Sequence, residues 1–281
     1  MSAALALLAS ALWGTSDFLG GTVSRRLRAV QVLAVSQVLS CAVLLAVLGG
    51  LVGVRPAGPA ASWLGWSVFA GVTWAGAMAA LYTALARGTM GVVAPIAAGG
   101  TALPVLLGLA AGERPAPLQL AGVAVAFTGV VLSAGPDLRG GGRRQGGAVL
   151  LALVAAALFG VEVWALARGS AASVPATLLG MRVTSAVLVV LAAAATRRGE
   201  QRVGARDLPP LLALGVLDLA ATAAYALASR GELVSVVAVL ASLYPAVTVV
   251  LARQVHGERL RPVQAAGVLA VLAGAVATSL A

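Results

Sequence analysis

The fold class that this sequence predicts is an all-α membrane protein of ten transmembrane helices, arranged as an inverted five-plus-five repeat. Three observations lead there. First, 60% of the 281 residues are apolar and only 10% charged, whereas soluble domains carry roughly a quarter charged residues, and the mean hydropathy is +1.01. Second, the apolar residues fall into ten segments separated by polar punctuation. Third, the end of each half repeats the other. A hydrocarbon core about 30 Å thick takes about 20 helical residues to cross, so the chain holds about a dozen spans at most and no extramembrane catalytic domain.

The segments follow in order. The first, 3–22, has no basic residue before it; Ala9-Ser10-Ala11 has the small residues of a cleavage site, but the apolar run continues to about Gly21, which predicts an uncleaved helix. SRRLR (24–28) closes it, and 30–54 ends at VRPAGPA (54–60). Trp63 and Trp66 open 63–85, placed as headgroup anchors. ARG (86–88) separates this span from 90–111, and GERPAP (112–117) leads into 117–135. After PDLRGGGRRQG (136–146) come 147–167, RGSAAS (168–173), 174–195, TRRGEQRVGARD (196–207), 208–228, SRGE (229–232) and 233–252. A loop around His256, VHGERLRP, then leads to 262–280. Backbone groups in hydrocarbon must be paired within their own segment, so these are helices.

The repeat fixes the organisation. Residues 112–135 realign with 257–280 at an offset of 145, keeping Gly112, Glu113, Arg114, Pro117, Gln119, Gly122 and Gly129 in place. LALLASALWG (5–14) matches LALVAAALFG (151–160) at seven of ten positions, and Tyr82-x4-Arg87-Gly88 is echoed by Tyr225-x4-Arg230-Gly231. Two units follow, 1–140 and 141–281. Five spans each is an odd number, so the second unit enters the membrane from the opposite side, as in many secondary transporters whose sites lie at the repeat interface near the midplane. Gly122 with Gly129, and Gly267 with Gly274, are seven apart and share a helix face, which predicts close helix packing.

The net charge of +10 comes from 19 Arg and no Lys, set almost wholly between apolar runs as topology signals are, so nucleic acid is not the expected partner. The odd-numbered connections hold fourteen Arg and the even ones four, which places both termini outside by the positive-inside rule. Cys41 and His256 are the only residues of their kinds, leaving no intrachain disulfide, no metal cluster and no buried serine triad. His256 reads as a solvated loop residue.

A Trp13-Gly14 in the first helix, Pro within the fourth and ninth, and GER before a Gly-rich fifth and tenth helix resemble the drug/metabolite transporter superfamily, in particular its EamA-type permeases. The family's Pro about thirteen residues before the GER glutamate is Pro245; in the first half that position is Gly100, with Pro95 and Pro104 nearby. The resemblance implies a secondary active carrier in the bacterial cytoplasmic membrane that exports or exchanges small metabolites, amino acids among them. It implies a small-molecule substrate and the lipid bilayer as partners, no cofactor, and a monomer or weak homodimer. Many relatives have both termini cytoplasmic, against the arginine count. A cationic drug efflux carrier is the alternative; a membrane enzyme or scaffold is less favoured, since the chain has neither HExxH nor paired DxxD.

Charges at the centre of a membrane helix cost about 2.5 to 3.5 kcal/mol on insertion scales, so Asp17, Glu162, Arg182 and Asp218 stand out. At 1.5 Å per residue, Glu162 lies about 7 Å, Arg182 about 12 Å and Asp218 about 15 Å below one and the same face, so these three can converge. Arg182 is expected either to exchange Asp218 for an anionic substrate group or to hold a permanent structural pair. Asp17 and Glu162, in repeat-related helices, are candidates for proton coupling or for snorkelling to opposite interfaces. Trp13, Tyr82, Trp164, Tyr225 and Tyr244 are candidates either for a cavity wall or for core and interface packing. Pro95, Pro104 and Pro245 are expected helix breaks, either opening carbonyls to a cavity or forming ordinary kinks satisfied by neighbouring helices, and the two Glu-Arg pairs of the GER motifs are expected to cap or tether loops.

Overall fold

The computed structural model describes residues 2–51, 60–101, 116–140, 142–170, 172–196, 203–228 and 243–279. Among them are ten α-helices and no strand: α1 (Ser2–Val23), α2 (Ala29–Leu51), α3 (Ala60–Arg87), α4 (Met90–Ala98), α5 (Pro117–Gly140), α6 (Gly142–Ser170), α7 (Val174–Ala195), α8 (Leu208–Ala228), α9 (Tyr244–His256) and α10 (Pro262–Ser279). Each answers to one expected segment. Four contain apolar stretches long enough to cross a membrane, Ala29–Ala46, Trp63–Arg87, Gly146–Leu166 and Ala176–Ala195, and shorter apolar stretches lie in α5, α8 and α10.

The ends differ from expectation where apolarity and hydrogen bonding part company. The stretch 136–146 is largely helical, since α5 runs on to Gly140 and α6 begins at Gly142. Hydropathy marks where hydrocarbon ends, whereas a helix stops only where its ladder is interrupted. For the same reason His256 is the last helical residue of α9. The ladder breaks one residue later, at Gly257, whose φ of 65° is left-handed, a conformation glycine adopts without a Cβ clash. The Gly257 and Glu258 N–H groups then both close on the Ala252 carbonyl, a helix end that turns the chain sharply back.

α4 is buried on every side, and at Gly99 it tightens into a 3-10 turn that reaches Thr101. Pro95 sits inside it, so the Gly91 carbonyl lacks its usual helical donor. α9 begins at Tyr244 with Pro245 in its first turn, where a missing N–H costs nothing. Pro104 lies outside the described residues, as do Glu113 and Arg114.

Glycines set the closest helix contacts. A Cβ on Gly129 would lie 2.5 Å from the Val271 nitrogen and 2.7 Å from the Gly267 carbonyl, and one on Gly274 would lie 2.5 Å from the Gly122 carbonyl. Residue 122 thus faces 274 while 129 faces 267, so α5 and α10 are antiparallel and their backbones touch. α3 and α6 are also antiparallel: Trp66 meets Trp164 at one end, with ring centroids 5.4 Å apart, and Gly88 meets Ala148 at the other. α1 packs on α8 and α9, α6 on α3 and α4, α2 on α7 and α8, α7 on α3, and α4 on α9. Exchanging α1–α5 with α6–α10 maps these pairings onto one another, whereas α1 on α3 and α4 on α10 have no image of similar extent among the described residues.

The connections after α1, α3, α7 and α9 meet at one end of the bundle, together with the start of α6. Arg26 pairs with Asp207 at 3.4 Å, Arg28 donates to the Thr196 carbonyl at 3.1 Å, and Arg25 donates to Glu258 Oε1 at 2.8 Å. The second carboxylate oxygen of Glu258 accepts the Gly91 N–H at 3.1 Å. Trp66, Trp164 and Arg168 mark the other end, the Arg168 guanidinium lying 5.2 Å from the Trp164 ring centroid.

Candidate functional site

α7 carries Arg182 eight residues from its start and α8 carries Asp218 ten residues from its own, and the bundle brings them together as the depth arithmetic expects. Arg182 Nη1 donates to Asp218 Oδ2 at 2.7 Å, and Nη2 donates to Thr222 Oγ1 at 2.9 Å. Thr222 in turn donates to the Asp218 carbonyl at 2.9 Å, one helical turn back. Trp74 of α3 lies against the guanidinium, 5.5 Å from ring centroid to Cζ, near enough for the ring's negative face to attract the charge. The Arg182 carbonyl accepts from Ser185 at 3.0 Å and from the Cys41 thiol of α2 at 3.7 Å. Arg182 is 5% exposed, so its charge is balanced by this shell and not by water.

Asp17 and Glu162 are both buried and neither reaches an end of the bundle. Asp17 lies within electrostatic range of Asp218 and of Tyr82 and Tyr244. Glu162 lies within range of Arg182 without a hydrogen bond to it. The ion pairs among the described residues are Arg25–Glu258, Arg26–Asp207 and Arg182–Asp218, so the two carboxyls sit in the bundle without a paired cation. Tyr82 is enclosed, its ring pressed on Gly20 of α1 and its hydroxyl beside Ser16. Ser16 reaches the Leu214 carbonyl of α8 at 3.4 Å, and Trp13 meets Tyr244 edge to face, with centroids 6.5 Å apart. Thr248 donates to the Gly14 carbonyl at 3.0 Å, fastening α9 to α1.

The structure therefore gathers Asp17, Tyr82, Arg182, Asp218 and Tyr244 where α1, α3, α7, α8 and α9 meet, with Glu162 in electrostatic reach. Trp164 makes its ring contacts with Trp66 and Arg168 at the far end. The Tyr225 side chain lies outside what is described. Thr222, Trp74 and Ser16 belong to the cluster but were not singled out from the sequence. Thr222 was open to detection, being four residues from Asp218 and thus on its face; Trp74 gave no signal that sets it apart from a lipid-facing tryptophan. Among the described residues no three His, Cys, Asp or Glu gather as a metal site.

At the arginine-rich end His256 differs from the solvated loop residue expected. Its Nε2 is 3.0 Å from Thr22 Oγ1 and its ring packs 5.2 Å from Phe18. Burial and then the Arg25 charge push its pKa below the ordinary value, against the opposing pull of Glu258. Because the unfolded chain takes up the proton first, the stability that this histidine contributes is present above about pH 6.5 and is lost as pH falls below it. Thermal unfolding between pH 8 and pH 5 is expected to show a downward slope that His256→Gln flattens; equal slopes would contradict the assignment.

A bundle of apolar helices enclosing a buried ion pair and two further carboxyls is the architecture of an integral membrane protein. Residues 146–280 match the family model "EamA-like transporter family", a family within the drug/metabolite transporter superfamily. A solved structure described as "Crystal structure of protein" superposes with a TM-score of 0.66 at 20% identity, covering 98% of this chain and 95% of that one; it shares the fold over both halves. No match was found among curated proteins.

Proposed function

We propose that the chain is a secondary active transporter that moves a small anionic metabolite by alternating access around Arg182, its ten helices crossing the membrane as an inverted repeat. The observation that carries the reading is the buried Arg182–Asp218 pair, held between helices of the second half and walled by Trp74, Cys41 and Asp17 of the first. Substrate sites of inverted-repeat carriers lie at that interface. The antiparallel contact of α5 with α10 supports the inversion, because a parallel repeat would set these two helices side by side in the same direction. The substrate's anionic group takes the place of Asp218 on the guanidinium, and Asp17, buried beside Asp218, is the proton-coupling group.

Arg25, Arg26, Arg28, Glu258 and Asp207 tie the first half to the second at one end, and in the proposed cycle these ties seal that end. Glu258→Ala removes an ion pair and an acceptor from the first turn of α4, together worth about 1 to 2 kcal/mol. It is expected to raise the population open at this end about tenfold, read as faster labelling of a cysteine at Thr22; an unchanged rate would show that these ties do not gate. The arginine bias makes the sealed end cytoplasmic and both termini external. A C-terminal reporter active only in the cytoplasm would reverse that orientation.

The functional test is a thermal-shift ligand screen on purified protein, followed by counterflow of any hit in proteoliposomes. Saturable, trans-stimulated exchange that Arg182→Gln abolishes is expected. Flux without saturation would mark a channel, and binding without flux a scaffold.

A further inference from the structure

Two α2 side chains near the ion pair lack the partners that burial demands. Gln37 and Ser40 are 3% and 2% exposed, and Gln37 Oε1 and Ser40 Oγ have no hydrogen-bond partner among the described residues. Buried polar atoms are nearly always paired, so two orphans one turn apart require a cause. Their position supplies it. The Ser36 backbone touches Gly215 of α8, and the Cys41 thiol reaches the Arg182 carbonyl of α7. At 100° per residue, Ser40 and Gln37 lie about 40° and 100° round the helix from Ser36, and Cys41 about 140°. Both orphans therefore face the wedge between α7 and α8, the gap that the Arg182–Asp218 pair bridges.

Height agrees as well as direction. α2 and α8 both start at the arginine-rich end and are in contact at Ser36 and Gly215. Advancing about 6 Å to Ser40 and about 4.5 Å to Asp218 leaves the two at nearly one level. We infer that Gln37 and Ser40 are specificity-determining residues that complete the Arg182 site by accepting a hydrogen bond from the substrate. An amide oxygen only accepts and a hydroxyl can accept, while Arg182 alongside takes the anion. The solute class is a small carboxylate that also carries an O–H or N–H donor. This rests on the anionic-substrate reading above and adds to it the group that distinguishes one carboxylate from another, since a site built to bond an O–H or N–H rejects the analogue that lacks it.

Two measurements on the full-length protein in nanodiscs test the inference. In a Cys41→Ala background, Ser40→Cys is expected to react with an anionic methanethiosulfonate, whereas Val38→Cys, on the 49% exposed outer face of α2, is not, because a thiolate needs a polar surrounding. An unreactive Ser40→Cys overturns the pocket. Lactate and propionate, which differ by one hydroxyl, are the binding probes. Wild type is expected to bind lactate about tenfold more tightly, and Gln37→Leu and Ser40→Ala to erase that preference while leaving propionate unaffected. A wild-type ratio of one, or a preference that survives both substitutions, overturns the recognition role. Arg182→Gln is expected to weaken both probes alike; if it does not, the anionic reading fails, and the ratio in Gln37→Leu still decides the role of α2.

Discussion

Asp218→Asn is expected to destabilise the protein by about 3 kcal/mol and to abolish transport. Removing one partner of a buried ion pair leaves the other charge uncompensated, which typically costs about 3 to 5 kcal/mol, and the lower figure suits a side chain that is 17% exposed. The neutral amide still bonds the guanidinium but no longer balances it, and Trp74 with Thr222 offers only partial charges in return. The double variant Arg182→Gln/Asp218→Asn separates structure from function. With neither charge present, most of the lost stability is expected to return, while transport stays absent because the anion has nothing to bind. Thermal unfolding in detergent and proteoliposome flux read the two effects. A double variant that regains both would make the pair a purely structural tie.

Gly129→Leu and Gly274→Leu are expected to be comparably damaging. At both positions the atoms that a Cβ would strike belong to the facing backbone, which cannot rotate away as a side chain can. Relief comes only from moving α5 and α10 apart, and overpacking of this kind costs about 1 to 3 kcal/mol or more. Between membrane helices, van der Waals contact is the main attraction and lipid tails compete equally well for apolar side chains, so the separated helices regain little. Because Gly129 contacts Gly267 and Gly274 contacts Gly122, the two substitutions are repeat images and should cause equal losses of folded yield, measured by fluorescence-detected size exclusion. Normal yield from either would contradict the backbone contact.

The depth of a residue was legible in the sequence, and its direction was not. Counting residues from the helix ends placed Arg182 and Asp218 at meeting heights, and the seven-residue glycine spacing foretold close packing on α5 and on α10, though not that each is the other's partner. The side of a helix is another matter when both lipid and protein are apolar. On α2, Val32 and Leu33 are fully buried while Val38 and Leu45 are about half exposed, with no chemical difference between the two sets. Periodicity therefore could not show that Trp74 covers Arg182 while Trp164 joins Trp66. Nor could it show that Glu162 stays out of hydrogen-bonding reach of the arginine whose depth it nearly shares. The role of the GER glutamate in the second half was nearer the surface of the sequence: a glycine that ends α9 left-handed must turn the next residue back, and Glu258 lands on Arg25 and the start of α4.

Alternating access about Arg182 is tested most directly by labelling a cysteine at Thr222 from each side of reconstituted membranes, in a Cys41→Ala background, with an impermeant thiol reagent. With Glu258 present, labelling is expected only from the side opposite the arginine-rich end. With Glu258→Ala, it is expected to appear from the arginine-rich side, with a corresponding fall from the other. Labelling from both sides at once, or from one unchanging side in both backgrounds, would contradict the account.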